Sequence, residues 1–267
     1  MDRRTIFTAE KLSALYGTQE ILQEVSFTLQ EGQLTALLGV NGSGKTTLMK
    51  CISQRLSHKG CCRLRGQTLE NMTDRQLAQQ LSYIPQRSGV GISLPVLDVV
   101  LMGFNPRLSL LERPSKAQKA QAMEALTSMG MGEYADKDYQ TLSEGQKQLV
   151  ILARLLVEDS ALLLLDEPDS ALDFQNRYAI LWQLKKLTEE RQRCALLCLH
   201  DPMLALEFCQ QLILLKDGNI FAVLHPEEDT LPDMEKALRE IYGAVSLLEH
   251  RTSDGKRRLI LLWEGRE

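Results

Sequence analysis

The sequence predicts an α/β fold, with a parallel-sheet core, an antiparallel β subdomain beside it and a helical subdomain inserted into it. Three observations carry this. Short aliphatic runs, ALLLLD (161–166), CALLCLH (194–200) and LILLKDG (212–218), alternate with helical or polar segments. Such near-continuous apolar strands suit a parallel sheet covered on both faces. Residues 5–38 contain strand-like pieces joined by short turns, and from about Val96 to Tyr139 the pattern becomes helical.

In order along the chain, TIFTAEKLSAL, EILQEVSFTL and QLTALLG read as strands, with alternation in VSFTL and a turn at QEGQ. NGSGKTTLMKCISQRL (41–56) reads as a helix after a glycine-rich turn, and SYIP (82–85) as a short strand. VLDVVLMGF and SKAQKAQAMEALTSMGM are the clearest helical pieces of the inserted part. In LSEGQ (142–146), Ser143 and Gln146 have capping-box spacing, and QKQLVILARLLV carries the helix they open. After Pro226, DMEKALREIYG predicts a helix with Met234, Ala237, Leu238 and Ile241 on one face. AVSLLEH and RRLILLW flank Asp254–Gly255 and predict a hairpin. The expected organisation is one domain, 1–267. Its parts are 1–86 with 160–225 as core and β subdomain, 87–159 as helical subdomain, and 226–267 as terminal helix and hairpin.

Composition narrows the function classes. The chain has 267 residues, 44% hydrophobic and 25% charged, which is ordinary for a globular protein with a substantial core. A net charge of −4 gives no basic field for nucleic acid. MDRRTIFTAEKL lacks the apolar centre of a signal peptide. No run approaches the roughly 18 apolar residues that span a bilayer, so any membrane role is expected to go through a partner. The six cysteines (51, 61, 62, 194, 198, 209) form no CxxC pair and no His/Cys ligand spacing, which points to reduced thiols rather than disulfides or zinc. The vicinal Cys61–Cys62 pair reads as an oxidation liability.

GVNGSGKTT (39–47) satisfies G-x-x-x-x-G-K-[ST] between an aliphatic strand and a helix, the context a phosphate-binding loop requires. Gly39, Gly42 and Gly44 let the backbone approach phosphate oxygens, while the N–H groups through Val40, Asn41, Ser43 and Thr47 and the helix start attract the anion. Lys45 supplies a point charge and Thr46 a hydroxyl for magnesium. LLLLDEP follows as the second half of the site. Asp166 at a buried strand end suits magnesium held through water, and Glu167 suits orienting or deprotonating the attacking water.

Taken together, these motifs resemble the nucleotide-binding subunits of ABC transporters, from about Thr5 to Leu224 and in the family's order. The resemblance implies a phosphate-loop NTPase core of the RecA type, MgATP as ligand, and a head-to-tail dimer of two copies. It implies that Tyr16 stacks on adenine, Gln86 in YIPQ senses magnesium and the attacking water, and His200 in CLHD contacts the γ-phosphate. LSEGQ matches the signature motif, whose Ser143, Gly145 and Gln146 face the ATP of the other copy. SALD (170–173), with Asp173, matches the loop crossing the dimer interface. Glu144 replaces the glycine usual in the middle of the signature, and Asp169 stands where threonine is common; the latter is expected to influence interface polarity only.

LPVLDVVLMGFNPRL and EKALREIYG followed by a hairpin resemble the importer subgroup for iron–siderophore complexes, haem and cobalamin, although Phe104 follows Gly103 where that subgroup has arginine. This implies an energising subunit on the cytoplasmic face of the plasma membrane, held there by separate permease subunits and served indirectly by a substrate-binding protein. The groove formed by the Gln86 loop and the helix near Val96 is the expected seat of a permease helix. Two other classes are a soluble ABC ATPase of iron–sulfur cofactor assembly and a small-molecule phosphate-loop kinase. LSEGQ with His200 argues against the kinase.

Overall fold

The computed structural model describes residues 4–86, 91, 93–109, 111–253, 255 and 257–265. In chain order the strands β1 (Thr5–Tyr16), β2 (Gln19–Gln30) and β3 (Leu34–Leu38) precede helix α1 (Lys45–Ile52), followed by β4 (Lys59–Leu64) and the two-residue β5 (Gln67–Thr68). Next come α2 (Asp74–Gln80), β6 (Leu81–Ile84), α3 (Val96–Leu101), α4 (Lys116–Ser128), α5 (Glu144–Val157), β7 (Leu162–Asp166) and α6 (Phe174–Arg191). The chain closes with β8 (Cys194–Cys198), α7 (Pro202–Phe208), β9 (Gln211–Lys216), β10 (Asn219–Leu224), α8 (Leu231–Tyr242), β11 (Val245–Arg251) and β12 (Arg257–Trp263). Two compact units divide it: one runs through Asn71 and resumes at Leu184, and the other is Met72–Gln183.

In the first unit, β1 and β2 form a long antiparallel hairpin joined by β4 and then β5. A separate set is built on β3, which is parallel to both β8 and β9, with β10 antiparallel to β9. All five residues of β3 and of β8 are buried, as their unbroken aliphatic runs require. A buried polar tie joins this set, where the Thr35 hydroxyl donates to Gln211 Oε1 at 3.1 Å. On α8 the buried face is Met234, Ala237, Leu238 and Ile241, as the periodicity predicts. It packs on the β11–β12 hairpin, where Arg239 Nε donates to the Val245 carbonyl at 2.7 Å and Leu247 N–H to Glu235 at 2.9 Å. Of the expected hairpin turn, Gly255 has φ 80°, while Asp254 lies outside the described residues.

In the second unit, β6 pairs parallel with β7, and the Ser82 and Ser160 hydroxyls meet at 2.5 Å beside them. Three of its helices, α2, α4 and α5, open on complete capping boxes: Thr73 with Gln76, Ser115 with Gln118, and Ser143 with Gln146. Each satisfies two helix-start N–H groups locally. Val96, Val99, Val100 and Leu101 are buried, so the apolar side of VLDVVLM is consumed by packing. Gly103 lets this segment lie against α5, because a Cβ there would stand 2.7 Å from Val157 and 2.8 Å from the Arg154 carbonyl.

All six cysteines are free. Burial pushes the Cys51 thiol up to about 11 and the Cys209 thiol to about 12, so these stay protonated packing groups. Among the described residues no helix is long and apolar enough to cross a membrane. The phosphate-loop helix is shorter than the sequence suggests. Gly44 in a left-handed conformation (φ 105°) is its N-cap, and it ends at Ile52 with Ser53 as C-cap.

The turn between β9 and β10 supports the glycine-rich loop. Gly218, φ 75°, donates its N–H to the Ser43 carbonyl at 3.3 Å, and its carbonyl accepts from Gln23 N–H at 2.9 Å. A Cβ on Gly218 would sit 2.3 Å from the Ile21 carbonyl oxygen, whereas one on Gly66, φ 80°, would meet nothing within 4 Å. Gly66→Ala therefore carries only the left-handed backbone cost of about 1–2 kcal/mol. Gly218→Ala adds a backbone clash and is expected to cost roughly 2 kcal/mol more than Gly66→Ala. Urea unfolding of the two variants measures the difference, and equal midpoints would contradict the packing described.

Candidate functional site: a phosphate loop and an acidic strand end

The phosphate-loop residues follow β3 and end where α1 begins. Gly39 is required by close approach, since a Cβ there would lie 2.3 Å from the Leu215 carbonyl oxygen and 2.6 Å from Ser43 Oγ. Gly42 and Gly44 take positive φ, 84° and 105°. Lys45 folds back over the loop, its ammonium donating to the Gly39 carbonyl at 2.8 Å and the Val40 carbonyl at 3.1 Å. Val40, Asn41 and Gly42 form the exposed rim; Ser43, Gly44, Lys45 and Thr47 lie beneath it, and Thr46 is half-buried. Ser43 Oγ is buried with no hydrogen-bond partner among the described residues. The first turn of α1 holds no acidic residue, so nothing there offsets the positive helix end. A loop of this kind suits an anion with several oxygens.

Two further predicted residues belong to the same unit. Tyr16 ends β1 with 47% of its surface exposed, opposite Gln19 across the Gly17 turn. Its ring is open to stacking. His200 is exposed just beyond β8, and the next residue, Asp201, caps α7 by accepting the Met203 N–H at 2.8 Å.

The acidic residues lie in the other unit. Asp166, the last residue of β7, is 1% exposed, and neither carboxylate oxygen has a hydrogen-bond partner among the described residues. Burying an ionised carboxylate without compensation costs several kcal/mol. A hard divalent cation, or water held by one, supplies that compensation, so the residues present fit magnesium. Glu167, half-buried, breaks the strand with φ 54°. Gln86 Nε2 donates to Glu167 Oε2 at 2.5 Å. The Ser170 N–H and hydroxyl both bond the Glu167 carbonyl, at 3.3 and 3.1 Å. The structure thus brings Gln86, Asp166 and Glu167 together.

The signature segment is in the same unit. Ser143 Oγ accepts the Gln146 N–H at 3.3 Å while the Gln146 side chain accepts the Ser143 N–H at 3.0 Å. Glu144 is turned to solvent and paired with Lys147 Nζ at 2.8 Å. That cation, which sequence reasoning passed over, offsets the charge introduced in place of glycine. A Cβ on Gly145 would already be 3.1 Å from the Ala171 carbonyl oxygen, so LSEGQ and the 170–173 loop are in close contact. Asp173 caps α6, accepting the Asn176 N–H at 2.9 Å. Asp169 is 4% exposed, a buried part of the turn that follows Glu167.

Gln148 is the supporting residue that the sequence concealed. Its buried Nε2 donates to the Pro168 carbonyl at 3.1 Å, tying the signature helix to the residue after Glu167. Glutamine in an amphipathic helix carries no local sign of such a tie.

Comparison with known proteins agrees with this geometry. Residues 22–170 match the ABC transporter family. The petrobactin import ATP-binding protein of Bacillus anthracis is 32% identical over 87% of this chain and 85% of its own. The iron(3+)-hydroxamate import ATP-binding protein of Bacillus subtilis is 32% identical over 88% of this chain and 87% of its own. Among solved structures, an ATP-binding cassette of an ABC transporter in its ADP conformation superimposes with a TM-score of 0.76, covering 90% of this chain and 98% of that one at 23% identity. A phosphate loop, an Asp-Glu strand end and a capped signature helix, matched over most of the chain by import ATP-binding proteins, place this protein in the ABC transporter family as one of its nucleotide-binding ATPases.

Proposed function

We propose that this ATPase energises the import of iron chelates through a separate membrane permease, at the cytoplasmic face, and works as a head-to-tail pair. The observation that carries the catalytic reading is Asp166, buried with no hydrogen-bond partner among the described residues, beside a Glu167 held by Gln86. The iron-chelate reading rests on the petrobactin and ferric-hydroxamate import relatives, each similar over most of both chains. Those relatives favour import over iron–sulfur assembly. The substrate-binding protein enters only through the permease.

In this reading the N–H groups of residues 39–47 and the Lys45 ammonium hold the outer phosphates, and Tyr16 stacks on the base. Thr46, Gln86 and Asp166 would hold magnesium, which when bound neutralises phosphate charge. Gln86 orients a water and Glu167 accepts its proton as the water oxygen attacks the γ-phosphorus. The bond from that phosphorus to the bridging oxygen breaks, giving ADP and phosphate, and His200 steadies the γ-oxygens. Ser143, Gly145, Gln146 and Asp173 of the partner subunit close the site from the other side. The capped start of α5 gives them anion affinity without a lysine.

Two experiments test this. In cells lacking the chain, uptake of a radiolabelled ferric hydroxamate should return with the wild-type protein and not with Glu167→Gln; equal uptake with both contradicts the proposal. In solution, Glu167→Gln with MgATP should elute as a dimer, and ADP should leave it monomeric. Adding Ser143→Asp retains a helix cap while setting a carboxylate against the γ-phosphate. It should abolish dimerisation and leave ATP binding by each monomer intact, so a double variant that still dimerises removes the signature motif from the site.

A further inference from the structure

A second cluster of ligating side chains uses none of the residues assigned above. Glu70 lies in a short 3-10 turn, Leu69–Asn71, after β5. Its carboxylate turns back to β4 and to the segment after α1. Oε1 accepts the Cys62 N–H at 2.8 Å and the Gln54 amide at 3.4 Å, and it lies 3.0 Å from His58 Nε2. Oε2 lies 3.9 Å from Cys61 Sγ. The His58 side chain is 3% exposed and Cys62 is fully buried. One ligand atom from each of His58, Cys62 and Glu70 lies within 4.8 Å of the other two.

His58 is set between two acceptors. Nδ1 faces the Leu56 carbonyl at 3.1 Å and Nε2 faces the Glu70 carboxylate. A neutral imidazole carries one N–H and can satisfy only one of them. With the proton on Nδ1 and donated to the backbone, the Nε2 lone pair confronts a carboxylate lone pair. An imidazolium resolves the conflict, and so does a cation held between the two. An Nδ1–H bonded to a backbone carbonyl is also the support that orients metal-ligating histidines.

We propose that His58 Nε2, Cys62 Sγ and the Glu70 carboxylate bind one zinc ion. Imidazole, thiolate and carboxylate together match zinc and disfavour magnesium or calcium, which take oxygen ligands. Zinc bonds of about 2.0–2.3 Å place tetrahedral ligand atoms roughly 3.5 Å apart, so the His58–Glu70 pair at 3.0 Å opens slightly while any pair nearer the 4.8 Å limit closes. Cys61 Sγ, 3.9 Å from Glu70 Oε2, is not one of the three converging ligand atoms, and water takes the fourth position. The Glu70 side chain is 27% exposed, so water reaches it. Binding exchanges the Cys62 thiol proton for the ion. The ion would clip β4 to the turn at 69–71 and to the segment after α1.

The test uses the full chain, stripped of metal and free of nucleotide. Equilibrium dialysis against zinc chloride should give one bound ion per chain, with a higher melting temperature. Cobalt(II) in its place should show a thiolate-to-metal charge-transfer band in the near ultraviolet. Glu70→Gln preserves the side-chain shape while removing the carboxylate, and Cys62→Ser nearly preserves the volume; each should abolish the bound zinc, the cobalt band and the thermal shift. Wild-type protein that binds no zinc, cobalt without a thiolate band, or stoichiometric zinc unaffected by both substitutions would overturn the proposal.

Discussion

The turn of the backbone after Asp166 is the constraint on which the acidic strand end depends. Up to that residue β7 is dry and aliphatic, so the first carboxylate ends in a buried position. One residue later the backbone enters the left-handed region at Glu167 (φ 54°), a conformation that costs about 1–2 kcal/mol for a side chain with a Cβ. The cost is offset by bonds that converge on the turn from Gln86, Gln148 and Ser170. Two adjacent acids therefore occupy different environments, and the proposed division of roles between metal and water rests on that difference. A regular continuation of the strand would have placed them on opposite faces.

The second consequence is that chemistry and recognition share their supports. Gln148, which anchors the residue after Glu167, sits one turn into the helix that LSEGQ opens. Gly145 touches the carbonyl of Ala171 in the next loop. Ser143 is a helix cap in this chain and is exposed. The capping box is the structural reading of LSEGQ, and the proposed anion contact would use the same helix start. Glu144 is compatible with it because Lys147 lies one turn along and takes up its charge.

Legibility in the sequence followed the range of the interaction. The phosphate loop, the capping boxes and the apolar face of α8 are local patterns and appear where the residues place them. Strands β3, β7 and β8 announce themselves through unbroken aliphatic runs. Strand β4, KGCCRL, was not legible, because its cysteines and basic residues give no clear alternation and its place is set by pairing with β1. The long α6, FQNRYAILWQLKKLTEER, is polar around much of its circumference, so periodicity says little. Contacts formed by turns carry no spacing rule: Gln86 with Glu167 joins residues far apart in sequence, and Glu70 reaches His58 and Cys62 only through the turn after β5.

The central claim is the division of labour between the two carboxylates at the end of β7. Calorimetric titration of ATP, with and without magnesium, into Asp166→Asn and Glu167→Gln measures it directly. Glu167→Gln should bind MgATP as tightly as the wild type and show no turnover. Asp166→Asn should bind ATP with little or no gain from magnesium. If magnesium strengthens binding equally in both variants, Asp166 does not serve the metal and the account is contradicted.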